Sequence, residues 1–182
     1  MPVWYALLLA ALALQRRREV VLSTRLERAR PGRRAAPRSF PLMVAAHIGL
    51  FLLPPLEVRI AKRRPQWPGL WLALLACATG LRWWSIRSLG AQWNVRAAVP
   101  LDLQPVTDGP YRWIRHPNYL AVILEFAALP MAGGAWISAL GLSALDGAVL
   151  VDRIRAEEAL LAEVPGYQQL FSGKARFIPG IF

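Results

Sequence analysis

The sequence predicts an all-α integral membrane protein with about five transmembrane helices, and three observations predict it. First, the 182 residues are 55% hydrophobic yet carry a net charge of +11. Water-soluble domains avoid that combination, because their surface needs charge throughout. Second, the charge is segregated: arginine-rich connectors alternate with nearly charge-free runs, the pattern of a chain that crosses a bilayer repeatedly. Third, the stretch 107–120 places two arginines, a histidine and three aromatics within nine positions, directly before a long apolar run. The length suits one domain, with N-terminal helices over 1–66 and a core over 67–182. Such basicity also raises nucleic-acid binding, but the arginines lie between apolar spans and form no continuous stripe. Cys77 is the single cysteine, so neither an internal disulfide nor a cysteine metal cluster is expected.

The first span is read from Val3 to Leu22. Its arginines, Arg16, Arg17 and Arg18, follow the apolar run, whereas a signal peptide carries its positive charge ahead of it. Here they snorkel to the interface. Residues 23–39, rich in Arg, Pro and Gly, are expected to be an irregular connector. The second span runs from Phe40 to Ile60, with Pro54-Pro55 expected to kink or end it, and Lys62-Arg63-Arg64-Pro65 closes it. The third, Trp67 to Leu89, turns amphipathic at Arg82, Trp83, Trp84 and Arg87, as a helix emerging through the interface does. Residues 90–116 form the longest polar connector, with Asp108-Gly109-Pro110 as a turn: glycine takes φ > 0 freely and proline presets φ. The fourth span opens at Pro117, where a missing N–H is no loss, and ends near Met131. Gly133-Gly134 turns the chain into a fifth span, Ala135 to Val151. That helix continues past the bilayer through Asp152 to Glu158, up to Pro165-Gly166. A short aromatic tail, 167–182, follows.

With five spans, 18 of the 22 Lys and Arg residues fall on one face. The positive-inside rule puts that face in the cytoplasm and the N-terminus outside, in a bacterial inner membrane. The 107–120 stretch and the Glu157-Glu158 helix then converge on the cytosolic surface.

Those residues define a ligand. Arg112 and Arg115 pair with carboxylate or phosphate, and His116 donates, accepts or holds a proton. Tyr111, Trp113, Tyr119 and Trp93 offer π-faces to a cation. Glu157 and Glu158, with Arg153 one turn earlier, suit an ammonium or a ribose. S-adenosylmethionine carries all the matching groups, whereas NADPH has less use for paired glutamates. Basic and aromatic residues at span ends also serve as interfacial anchors, and Arg153 with Glu157 is also an ordinary i, i+4 pair. An anchor, however, needs neither a histidine nor the order Arg-His-Pro at a helix start.

Taken together, Gly109-Pro110-Tyr111-Arg112, Arg115-His116-Pro117-x-Tyr119, Arg153 with Glu157-Glu158, and Gly166-Tyr167 resemble the isoprenylcysteine carboxyl methyltransferase family over residues 80–182. Membrane phospholipid methyltransferases share the pattern. The resemblance implies S-adenosylmethionine bound at the cytosolic face and a lipophilic acceptor entering from the bilayer. It places His116, Pro117, Tyr119, Glu157 and Glu158 at the cofactor, with Tyr111 and Arg115 in support. Leu89-Gly90-x-x-Trp93-Asn94 and Glu125-Phe126-Ala127-Ala128-Leu129-Pro130 are similar to bacterial members that O-methylate alkylpyrones. A second resemblance competes. Membrane sterol and steroid reductases, which take hydride from NADPH, share Arg-His-Pro-Asn-Tyr and a tail like Arg176 to Phe182. Glu157-Glu158 and the short chain favour the methyltransferase. A non-enzymatic scaffold would bind neither cofactor.

Three ionisable residues lie within spans, His47, Glu125 and Asp146, where a charge is costly and calls for a function or a partner. Asn118 and Glu125, seven apart, share a helix face. Two roles are open to Glu125: facing a substrate cavity below the cofactor, or bonding a neighbouring helix, with His47 as the candidate partner. Gly141 and Gly147 beside Asp146 suggest close packing there. Glu125 and Arg115 are the candidate catalytic residues, and the expected reaction is O-methylation of a carboxyl or acidic hydroxyl. An acceptor already ionised needs no general base.

Overall fold

Five long helices and a two-stranded ribbon account for most of the chain. The computed structural model describes residues 1–35 and 39–179. In chain order the elements are α1 (Val3–Ala29), β1 (Gly32–Arg34), α2 (Phe40–Ala61), α3 (Pro68–Leu89), β2 (Ala98–Pro100), α4 (Pro117–Gly133), α5 (Trp136–Leu161) and the short α6 (Tyr167–Phe171). Helices α2 and α3 are long and apolar enough to cross a membrane. Side chains such as Leu42, Ile48, Leu52, Leu56 and Ile60 lie exposed along α2, and Leu70 and Leu72 along α3. Apolar surface on that scale needs a lipid partner.

α4 is the central helix, with α2, α3 and α5 packed around it. Its sequence is apolar on nearly every side, as a helix enclosed by other helices must be, and Phe126, Ala128, Leu129 and Ala132 are all sealed from solvent. Tyr5 of α1 donates a hydrogen bond of 3.0 Å to the Leu129 carbonyl. Gly133 lets the Tyr5 ring come this close, since a Cβ there would run into it. Gly134, at φ +88°, ends α4 in the left-handed conformation that glycine adopts without penalty. The N-terminus of α5 is capped from another helix. Glu57 on α2 accepts from the Ile137 N–H (3.1 Å) and from the Ser138 N–H and hydroxyl (both 2.7 Å), satisfying donors that the helix itself leaves unpaired.

One expectation is corrected here, and two segments are specified further. The connector 23–39 is not irregular throughout: α1 runs on to Ala29, and β1 then pairs antiparallel with β2, Arg33 opposite Val99. The fold is therefore helical with one small ribbon. Pro54-Pro55 does not end α2, which continues to Ala61. Two N–H donors are lost, but the flanking hydrogen bonds hold the helix through the prolines. Finally, residues 90–116 carry a strand and two 3₁₀ turns, Gly90–Gln92 and Gly109–Arg112.

Candidate cofactor site

Pro117 fixes where α4 begins, and the segment before it is held from two sides. The Arg115 N–H donates to the Ala175 carbonyl (2.9 Å) and the His116 N–H to the Arg176 carbonyl (3.0 Å), fastening the chain to the tail. On the other side Gly109, at φ +58°, lies against Trp84 and Ser88 of α3, where any Cβ would collide. The cluster is thereby presented at the head of α4 with little freedom.

Side chains from α4 and α5 interlock there. His116 is buried and its Nε2 lies 3.0 Å from Glu158 Oε1. Arg115 Nη1 reaches the same oxygen at 3.0 Å, and Arg176 Nη2 reaches Oε2 at 2.7 Å. The hydrogen bond from His116, with that from Arg176 and the charge of Arg115, holds the Glu158 carboxyl well below the usual range, at about 2, against the opposing effect of burial. Tyr119 stacks on His116 with ring centroids 5.3 Å apart and donates its hydroxyl hydrogen bond to Glu157. Arg153, buried, donates to the Tyr119 hydroxyl (2.8 Å) and to the Val95 carbonyl (2.6 Å). Pro117 is fully buried beneath them.

These groups surround a cavity of about 100 Å³ whose walls include Tyr111, Arg115, His116, Tyr119, Arg153 and Glu157. Its roof is the 92–106 segment. Asn94 fastens the roof, its Oδ1 accepting from the Ala98 N–H (2.7 Å) and its amide donating to the Ala98 carbonyl (2.6 Å). Trp93, almost wholly buried, lines the cavity, and its indole N–H has no hydrogen-bond partner among the described residues. Arg115 Nε is in the same condition. Tyr111 packs on Tyr167 and Phe171, and burial raises its hydroxyl pKa.

The remaining candidates lie elsewhere. Arg112 and Trp113 are exposed and stack on each other, outside the cavity. Glu158 stands behind the wall, braced by Arg115, Arg176 and His116. Glu125 is not in the wall either: its Oε2 pairs with Arg16 of α1 and with Arg82 of α3, the latter at 3.4 Å. The candidate pairing with His47 does not form: the His47 Nδ1 turns to the Met43 carbonyl (2.9 Å) and its ring meets Phe126 edge-on. Arg82, Glu19 and Asn118 complete the Glu125 cluster and were not singled out as a group by sequence reasoning. The available signal was a pair of opposite charges, Arg82 and Glu125, each inside an apolar run. The last three residues of the reductase-like tail, 180–182, lie outside the described residues. Among the described residues no cluster of metal ligands occurs.

Helices with apolar outer surface thus enclose a cationic and aromatic cavity. The sequence profile of the isoprenylcysteine carboxyl methyltransferase family matches residues 71–163, and the chain belongs to that family. It is an integral membrane methyltransferase with S-adenosylmethionine as its methyl donor. Among its relatives is the uncharacterized protein YpbQ of Bacillus subtilis (strain 168), 33% identical over 162 residues that cover 86% of this chain and 96% of the relative. Neither comparison favours a reductase.

The Glu158 carboxylate makes one prediction. Its folded pKa lies below its ordinary value of 4.5, so the stability it contributes is fully present above that value and is lost as pH falls toward about 2. Melting temperatures of wild type and Glu158→Gln in detergent are expected to differ most near neutrality and to converge through that acid window. A constant difference down to the bottom of the window would show that the carboxylate is not held ionised by its cations.

Proposed function

We propose that the cavity under the 92–106 roof is the S-adenosylmethionine site, and that the enzyme O-methylates an acidic, lipophilic acceptor supplied by the bilayer. One observation carries this reading. Two buried donors, the Trp93 indole N–H and Arg115 Nε, have no partner among the described residues and belong to side chains that line a cavity with aromatic faces and a carboxylate. Unpaired buried donors are costly, and a ligand carboxylate relieves both. Tyr111 and Tyr119 face the sulfonium, a soft cation that π-systems attract. Glu157 receives the ammonium or ribose hydroxyls, steered by Tyr119 and Arg153. His116 and Pro117 shape the wall, and Glu158 holds Arg115 and His116 in place. Once bound, the cofactor supplies a methyl group activated by the positive sulfur. The protein's contribution is then alignment and exclusion of water.

Ligand pockets usually enclose roughly 300–1,000 Å³, so a cavity of about 100 Å³ admits the cofactor only when the roof lifts. The five long helices are read as five spans, with the N-terminus outside and the cavity cytosolic, because that arrangement collects 18 of 22 basic residues on one face. Within the acidic class, an alkylpyrone-like enol is the acceptor suggested by Trp93-Asn94 and the Glu125–Pro130 segment.

The test incubates purified enzyme, bacterial lipid extract and S-adenosylmethionine carrying an isotopically labelled methyl group, followed by mass spectrometry of the organic phase. Label in an acid-derived ester or enol ether is expected. Label found only on amines or phospholipid headgroups would overturn the acceptor class.

A further inference from the structure

We infer that Asn118 is the residue that holds the methyl-accepting oxygen, and that Arg82 fixes it for the task. The inference rests on the reading of the cavity above. Asn118 is the second residue of α4 and lines the cavity between His116 and Tyr119. Arg82 Nη1 donates to its Oδ1 at 3.2 Å. A guanidinium has donors only, so this contact settles which end of the amide faces it. The oxygen turns to α3, and the NH₂ group is left for the other side. Arg82 is itself immobilised, buried and held by Glu125 (3.4 Å) and Glu19 (3.7 Å). The cavity therefore contains a neutral hydrogen-bond donor of fixed orientation.

The position of that donor identifies its ligand. Glu19, at the far end of the same chain of contacts, lies in the wall of a second hollow of about 600 Å³ between α1 and α3. This groove is mostly apolar, lined by Ala11, Leu14, Leu22 and Ile86, with Arg18 and Arg87 at its polar margin. A lipophilic tail fits such a groove, and basic residues beside it favour an anionic head. Glu19 in the groove wall and Asn118 in the cavity wall both contact Arg82, at 3.7 and 3.2 Å, so a tail seated in the groove sets its head one side chain away from Asn118. An amide N–H suits the purpose. It orients an ionised oxygen by one lone pair while leaving another for the methyl carbon, without the full ion pair that would quench its reactivity. The ligand is thus an ionised oxygen on a long apolar tail, whether carboxylate or enolate.

The experiment uses the full chain in detergent, saturated with S-adenosylhomocysteine, and measures affinity for two probes in their ionised forms, palmitate and a hydroxy-undecylpyrone. Wild type is expected to bind at least one, and the stronger of the two identifies the source. Asn118→Asp keeps an oxygen toward Arg82 but replaces the donor with a second acceptor. It is expected to weaken probe binding by at least about tenfold, as loss of a hydrogen bond to a charged group does, with S-adenosylhomocysteine affinity unchanged within about twofold. Arg82→Lys is expected to weaken probe binding too, and the double variant no further than Asn118→Asp alone, since both act through one amide. If Asn118→Asp does not fold, Asn118→Ala takes its place with the same expectation. Unchanged probe affinity overturns the inference. So does an equal loss of both ligands, which would make Asn118 a contact of the cofactor and not of the acceptor, or wild type that binds S-adenosylhomocysteine but neither probe. Additive losses in the double variant would overturn the role of Arg82. Failure of wild type to bind S-adenosylhomocysteine would instead sink the cofactor site itself.

Discussion

Arg82→Met is expected to destabilise the folded protein by about 3–5 kcal/mol, the cost of leaving a buried charge without its counter-ion. Arg82 and Arg16 face Glu19 and Glu125 in a four-charge cluster that joins α1, α3 and α4, and three of the four residues are buried. Two positive and two negative charges cancel. Removing one arginine leaves a net negative charge in a region whose surroundings are hydrocarbon, with Glu125 Oε1 already unpartnered among the described residues. Arg82→Met with Glu125→Met restores neutrality, and the pair is expected to cost less than the sum of the single changes. Reversible unfolding in mixed micelles, or a thermal melt with matched detergent, makes the comparison. A loss below about 1 kcal/mol, the scale of an exposed pair, would mean that the cluster is hydrated and not enclosed by the bundle. The same cluster engages the Glu125 carboxylate with Arg16 and Arg82.

Much of the site could be read from the sequence because its determinants are local. Asp108-Gly109-Pro110 announced a turn, and Gly109 adopts the positive φ that the turn needs. Pro117 announced a helix start, and α4 begins there. Gly133-Gly134 announced a reversal, and Gly134 supplies it. The spacing of Arg153 and Glu157 on one helix made it natural that both reach a common site, and Tyr119 lies between them. What escaped was set by contacts between distant segments. β1 and β2 are three residues each, too short for an alternating pattern, and only their pairing makes them strands. Residues 23–29 read as a polar connector, yet Ser23 is buried and its hydroxyl accepts from the Val95 N–H (2.9 Å), so the helix is needed to roof the site. Glu125 was seen to need a partner, but periodicity along α4 does not say whether α1, α2 or α3 supplies it. Arg82 looked like an interfacial residue because its neighbours Trp83 and Trp84 are, and they are exposed where Arg82 points inward.

Glu157→Gln is expected to weaken S-adenosylmethionine binding by about 1–3 kcal/mol, the worth of a hydrogen bond to a charged group. Glu157 lines the cavity and receives the Tyr119 hydroxyl, which Arg153 also supports. Gln keeps the size and one acceptor oxygen but loses the charge that an ammonium requires. Glu158→Gln is expected to act less directly, by loosening Arg115 and His116, which line the wall in front of it. Trp93→Phe keeps an aromatic face but removes the indole N–H together with the five-membered part of the ring. The decisive measurement is a calorimetric titration of S-adenosylhomocysteine into wild type, Glu157→Gln and Trp93→Phe, each shown to be folded by its melting curve. One site per chain in wild type, with affinity falling by at least about tenfold in both variants, is the result that the cavity assignment predicts. Wild-type affinity in both variants would contradict it and place the cofactor outside the space between α4, α5 and the 92–106 roof.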